Sequence, residues 1–146
     1  MDIFKTLKED HEEAKDLFEE LTESERDGED REELFQELKE ALELHASIEE
    51  KYLYPALESV DETRAMALES IEEHRIVKEL LEELDGLDPD DEHWDAKLKV
   101  LMENVEHHVE EEEKELFKKA RKVLNKEQIA EMGARAKEEK DAAAGA

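Results

Sequence analysis

Four histidines, His11, His45, His74 and His108, each fall on the apolar stripe of a different predicted helix. Two of them carry a glutamate four residues later, giving His45-x-x-x-Glu49 and His108-x-x-x-Glu112. That spacing puts both side chains on one helix face, one turn apart. Imidazole with carboxylate is a donor set for first-row transition metals. A lone core histidine needs no metal, because hydrogen bonds to its two ring nitrogens can satisfy it. Four imidazoles and two carboxylates in one small core are different, since each is costly to bury unless paired or coordinated. A metal site inside a helical bundle is the chemistry these residues predict.

Glutamate is so common here that its spacing alone decides little, and His107 also has a partner at Glu111. Stripe position separates the two neighbours. His108 follows Leu101 and Val105 in the core register, whereas His107 follows Val100 and Asn104 on the flank. His108 and Glu112 are therefore assigned as ligands, and His107 and Glu111 as flanking. His93, beside Trp94, is expected to be exposed.

Helices must position these groups, and the composition supplies them: two prolines, four glycines and a preponderance of strong helix formers. The first helix is predicted from about Asp2 to Glu23, with Phe4, Leu7, His11, Ala14, Phe18 and Leu21 inward; Asp27-Gly28-Glu29 breaks it. The second opens at Asp30, where Glu33 suggests a capping box. Its stripe is Leu38, Ala41, Leu42, His45, Ile48, Glu49 and Tyr52, and Pro55 kinks or ends it near Tyr54. Tyr52 is read as a packed core aromatic, Glu50 as a flank carboxylate and Tyr54 as a bundle-end aromatic.

The third helix runs from near Asp61 to Asp85-Gly86 through Ala67, Ile71, His74, Val77, Leu81 and Leu84. Asp88-Pro89 starts the fourth, with Trp94, Leu98, Leu101, Val105, His108, Glu112 and Leu116 inward. Asn125 and Gln128 open a short fifth helix, with Ile129 and Met132 inward, and the tail from Asp141 frays. The expectation is an all-α, up-down-up-down four-helix bundle over 1–124, an accessory helix over 125–140 and a frayed tail over 141–146. At about 1.5 Å of rise per residue, His11, His45 and His74 fall in one layer. His108 matches less well, so the third helix is expected to run long or the fourth to overhang.

The chain has 146 residues, enough for one domain. No cysteine is present, which excludes thiolate zinc sites, iron–sulfur clusters and disulfides. The N-terminus shows no signal-peptide core and no apolar run is of membrane-spanning length, so a soluble cytoplasmic protein is expected. A formal net charge of −26 argues against nucleic acid and anionic membranes as partners. The charge is read as solvated outer helix faces, and a monomer is favoured.

The two His-x-x-x-Glu segments echo one another further. His45-Ala-Ser-Ile-Glu49-Glu-Lys-Tyr-Leu-Tyr-Pro55 aligns with His108-Val-Glu-Glu-Glu112-Glu-Lys-Glu-Leu-Phe-Lys118. Glu-x-x-His, the signature of ferritin-like di-iron bundles, is absent: Lys8, Leu42, Ile71 and Val105 stand three residues before the four histidines. The order His, His-x-x-x-Glu, His, His-x-x-x-Glu, with the phrases HASIEEKYLYPAL, EEHRIVKELLEEL and HHVEEEEKELF, resembles the hemerythrin-like (HHE cation-binding) family over about Asp2 to Leu124.

That resemblance implies a non-haem di-iron centre with an oxo or hydroxo bridge. Its ligands would be His11, His45, Glu49, His74, His108 and Glu112, with the glutamates bridging the two iron ions. The family's oxygen-carrying branch has a fifth histidine four residues after the third; here that position is Lys78. The donors then leave about two iron positions open. The implied function is binding of O₂, peroxide or nitric oxide, with catalase-like peroxide disproportionation as its enzymatic form. A non-catalytic module that senses or stores O₂ or iron is the alternative. Iron rests on the resemblance alone; zinc or manganese would also suit the donors.

Overall fold

The computed structural model describes residues 2–24 and 30–145. Its elements are α1 (Ile3–Glu23), α2 (Asp30–Ile48), a π-helical turn (Glu49–Leu53), α3 (Tyr54–Glu58), α4 (Asp61–Asp85), α5 (Glu92–Glu111), a second π-turn (Glu112–Leu116), α6 (Phe117–Val123) and α7 (Lys126–Gly145). Through the π-turns, α2 runs on into α3 and α5 into α6. The result is four long rods plus α7, all helical, with no strand among the described residues. None of their helices is long and apolar enough to cross a membrane. The expected break at Asp27-Gly28-Glu29 lies outside the described residues.

Caps follow local chemistry. The Asp2 carboxylate accepts from the Phe4 N–H at 2.8 Å and starts α1. The Asn125–Gln128 capping box closes reciprocally, at 2.9 and 2.8 Å. Asp30 is already the first helical residue of α2. The start of the fourth rod differs from expectation. Pro89 sits in a turn, closed by the Asp91 N–H to Asp88 O at 2.9 Å, rather than at the first helical position. Asp88 binds the Asp90 N–H and Asp91 becomes the N-cap, so α5 begins at Glu92. This later start and the end of α4 at Asp85 shorten the depth mismatch of His108 without removing it.

Pro55 also behaves differently from expectation. The second rod does not end at Tyr54. The π-turn just before Pro55 lengthens the hydrogen-bond reach, with the Tyr54 N–H bonding to Glu49 O, and the helix continues to Glu58. A π-turn carries one extra residue, so the buried register slips by one. Leu53, Tyr54 and Leu57 become fully buried, while Tyr52 is only partly so. Tyr54 is thus a core residue, and Tyr52 turns outward to bond Glu139 of α7. The second π-turn does the same for Leu116, Phe117 and Ala120. The tail from Asp141 is helical up to Gly145 instead of frayed, in keeping with the strong helix propensity of its alanines. Gly133 and Ala136 are buried, which lets α7 pack closely on α1.

The apolar core is in two parts. One cluster joins Ile3, Phe4, Leu7, Ile48, Leu53, Leu57 and Phe117 with others. The other joins Ala14, Phe18, Phe35, Leu38, Leu81, Trp94 and Leu101 with others. His11, His45, Glu49, His74, His108 and Glu112 form the buried polar layer between them.

Neighbouring positions on α5 test this register. Leu101 is fully buried and Val100 is 47% exposed. Leu101→Ala is expected to cost about 2–5 kcal/mol in chemical denaturation, and Val100→Ala no more than about 0.5 kcal/mol. Equal losses would place the α5 stripe wrongly.

Candidate metal centre

Each of the four rods contributes one imidazole to the polar layer, and the rods with π-turns add one carboxylate each. The two glutamates are the first residues of the π-turns. Ligand-type atoms gather in two groups, His11 with His45 and Glu112, and Glu49 with His74 and His108. Within each group they lie within 4.8 Å of one another.

The carboxylates lie between the groups. Glu49 Oε1 is 3.0 Å from His45 Nε2 and 3.1 Å from His74 Nε2. Glu112 Oε1 is 3.2 Å from His11 Nε2 and 3.4 Å from His108 Nε2. His74 Nε2 and His108 Nε2 are 3.1 Å apart. All four histidines therefore turn Nε2 inward.

Their outward nitrogens meet a second ring of carboxylates. His11 Nδ1 is 2.7 Å from Glu113, His45 Nδ1 is 3.0 Å from Asp10 and His108 Nδ1 is 2.7 Å from Glu73. His74 Nδ1 faces Glu50 at 3.7 Å. A carboxylate on Nδ1 favours the tautomer whose Nε2 lone pair points inward. The layer has a pseudo-twofold arrangement, since α1 and α2 with their π-turn repeat in α4 and α5 with theirs. Asp10 corresponds to Glu73, Glu50 to Glu113, and Tyr54 to Phe117. The symmetry fails at the last pair. The Tyr54 hydroxyl donates to Glu112 Oε2 at 2.8 Å and lies 3.2 Å from His74 Nε2. Phe117 instead stacks on His11, centroids 6.0 Å apart.

Charge is concentrated here. Burial alone would lower the His45 pKa, but the Glu49 charge, with Asp10 and Glu112, holds it well above the ordinary histidine value. His108 is raised in the same way, against its burial, chiefly by Glu112. Glu49 is held well below the usual carboxylate value, because His45 and further hydrogen bonds outweigh its burial. Burial, then the charges of Glu49 and Glu112, raise Tyr54, which keeps its proton.

The donors fit a cation pair. Buried His11 Nε2, His45 Nε2, Glu49 Oε2 and Glu112 Oε1 have no hydrogen-bond partner, although they crowd one another. Inward ring nitrogens and carboxylate oxygens without partners are what a cation would satisfy. A cavity of about 530 Å³ reaches all four imidazoles and is walled by apolar residues such as Leu42, Val77 and Val105, with exposed Lys78 among its lining.

The residues singled out by stripe position, His11, His45, Glu49, His74, His108 and Glu112, all lie in this layer. The side chains of His107 and His93 are 66% and 73% exposed. Sequence reasoning missed Asp10, Glu73 and Glu113, and placed Glu50 and Tyr54 outside the site. Each of the four acids is the chain neighbour of a ligand-position residue and serves a histidine on another rod. In a glutamate-rich chain that adjacency carries no signal. Tyr54 did leave one, the aromatic that recurs in the echoed segments.

Comparison with known proteins agrees with this arrangement. The profile of the hemerythrin HHE cation binding domain matches residues 2–120. The crystal structure of a hemerythrin HHE cation binding domain-containing protein from Mycobacterium kansasii superposes with a TM-score of 0.82 at 27% identity, covering 98% of this chain and 90% of that one. A DNA nickase from Nostoc sp. (strain PCC 7120) is 30% identical over 128 residues. The match covers 88% of this chain but 36% of the nickase, so the chain spans about a third of that curated relative. On the extent of the profile match and the shared fold, this chain belongs to the hemerythrin HHE cation-binding domain family.

Proposed function

We propose that this protein is a non-haem di-iron protein that binds O₂, peroxide or a related small oxidant. Its ligands in this reading are His11, His45, Glu49, His74, His108 and Glu112, with the glutamates bridging. One observation carries it: each buried carboxylate lies between a histidine of one group and a histidine of the other. Bridging two cations needs that placement. Iron there would supply electron transfer and Lewis-acid polarisation.

The chain's own residues supply the rest. Asp10, Glu73 and Glu113 orient three imidazoles from behind. Tyr54 holds a proton at Oη beside Glu112 that it could give to a small oxidant reduced in the layer. The cavity between α2 and α4 gives a small ligand a path to the imidazoles. Exposed Lys78 in place of a fifth histidine leaves that path open and favours reaction over simple carriage. The net charge of −26 opposes contact with a phosphate backbone, so the nickase's DNA chemistry is not part of this reading. Non-catalytic storage or sensing of O₂ or iron is the competing reading.

Purified protein should carry close to two irons per chain, with oxo-bridged ferric absorption in the visible range. His45→Ala or Glu112→Ala should abolish uptake, and His107→Ala should leave it intact. Iron lost in His107→Ala but retained in His108→Ala would reverse the assignment on α5. Oxygen evolved on adding peroxide, and absent from metal-free protein, selects the enzyme; its absence selects storage or sensing.

Loading should also release protons. The buried carboxylates hold the pKa of His45 and His108 above the ordinary histidine value in the metal-free layer, and coordination needs both imidazoles neutral. Uptake near neutral pH is expected to release protons, and affinity to fall as pH drops. Uptake without acidification of a weakly buffered solution would contradict this.

A further inference from the structure

The family profile ends at residue 120, yet α7, which starts at Lys126, reaches the proposed ligands. Lys140 Nζ donates to Asp10 Oδ1. The other Asp10 oxygen is 3.0 Å from His45 Nδ1. A chain of Lys140, Asp10 and His45 therefore runs from α7 to the inner layer. The Asp10 side chain is 10% exposed, so water competes little for it. One residue before Lys140, Glu139 accepts from Lys51 Nζ at 3.0 Å and from the Tyr52 hydroxyl. Both donors sit on the π-turn that begins with Glu49.

The pseudo-twofold shows what is unusual here. Asp10 corresponds to Glu73, which sits 2.7 Å from His108 Nδ1. Among the described residues no lysine or arginine pairs with Glu73, whose group partners are His107 and Glu111. One histidine is thus held by a carboxylate that an ammonium fixes. Its counterpart is held by a carboxylate that shares its surroundings with another acid.

We propose that Lys140 is a positioning residue that makes the two metal positions unequal. Cations fill the His11, His45 and Glu112 position first and the Glu49, His74 and His108 position second. The inference rests on the ligand assignment proposed above. A ligand whose direction is set beforehand loses less conformational freedom when it binds. The partner on one imidazole nitrogen sets the tautomer and direction of the other. An opposing effect exists, because the Lys140 charge weakens Asp10 as an acceptor and so His45 as a donor. Lys140 is 30% exposed, so solvent screens that charge, whereas the fixed geometry is not screened. Orientation wins.

The test titrates the metal-free full chain with Co²⁺, followed by calorimetry and visible absorption. Wild type should take up two ions in two steps of different affinity. Lys140→Met should weaken the tighter step by about tenfold, as loss of an outer partner does, and leave the weaker step unchanged. Lys140→Arg should restore the tighter step. Glu139→Gln, which loosens α7 without touching Asp10, should leave the tighter step in place; far-ultraviolet circular dichroism checks that all variants remain helical. Two ions bound in equal steps, both steps moving together in Lys140→Met, or the same shift in Glu139→Gln would overturn the proposal. Fewer than two ions bound by wild type would overturn the ligand assignment beneath it as well.

Discussion

Six ionisable side chains buried in the middle of a thin hydrophobic core are the constraint around which this molecule is arranged. Imidazoles and carboxylates are costly to bury unless each finds an opposite charge or a cation. Each rod therefore has to present its polar group at one level and at one angle. The apolar residues lie above and below that level as two clusters, held apart by the layer they enclose. Abundant surface charge hydrates the outer helix faces but adds nothing to this core.

The π-turns are the local device that meets the constraint. Both begin at a buried glutamate and both add one residue to a helical rod. The added residue changes which side chains face inward afterwards. Without it, Tyr52 would follow His45 and Glu49 into the core. With it, Tyr54 reaches Glu112, and Tyr52 is released to hold α7. Single π-turns inside α-helices often occur where a side chain must be aimed at a functional group.

Much of this was legible from periodicity. The stripes of the first and fourth rods came out buried residue for residue, from Phe4 to Leu21 and from Trp94 to Leu116. The choice of His108 over His107 for the interior depended on the same pattern. Three features were not legible, for physical reasons. A π-turn has no composition signal, so straight-helix counting put Tyr52 inside. Proline after aspartate suits a helix start and a turn equally, and only the Asp91 cap decided between them. The outer carboxylates act between rods, and pairing across rods cannot be read from one helix at a time.

The two apolar clusters also bear on how the chain opens. Apolar packing binds a helical protein into one cooperative unit when it is continuous, and here a charged seam interrupts it. Without a cation the halves on either side are joined by ion pairs and by the rods alone, so amide exchange should divide the molecule into two separately opening units. A cation pair in the seam would rivet them into one. Occupancy of the seam by a cation would then set the size of the cooperative unit, and would give proteolysis a way to tell loaded chains from empty ones.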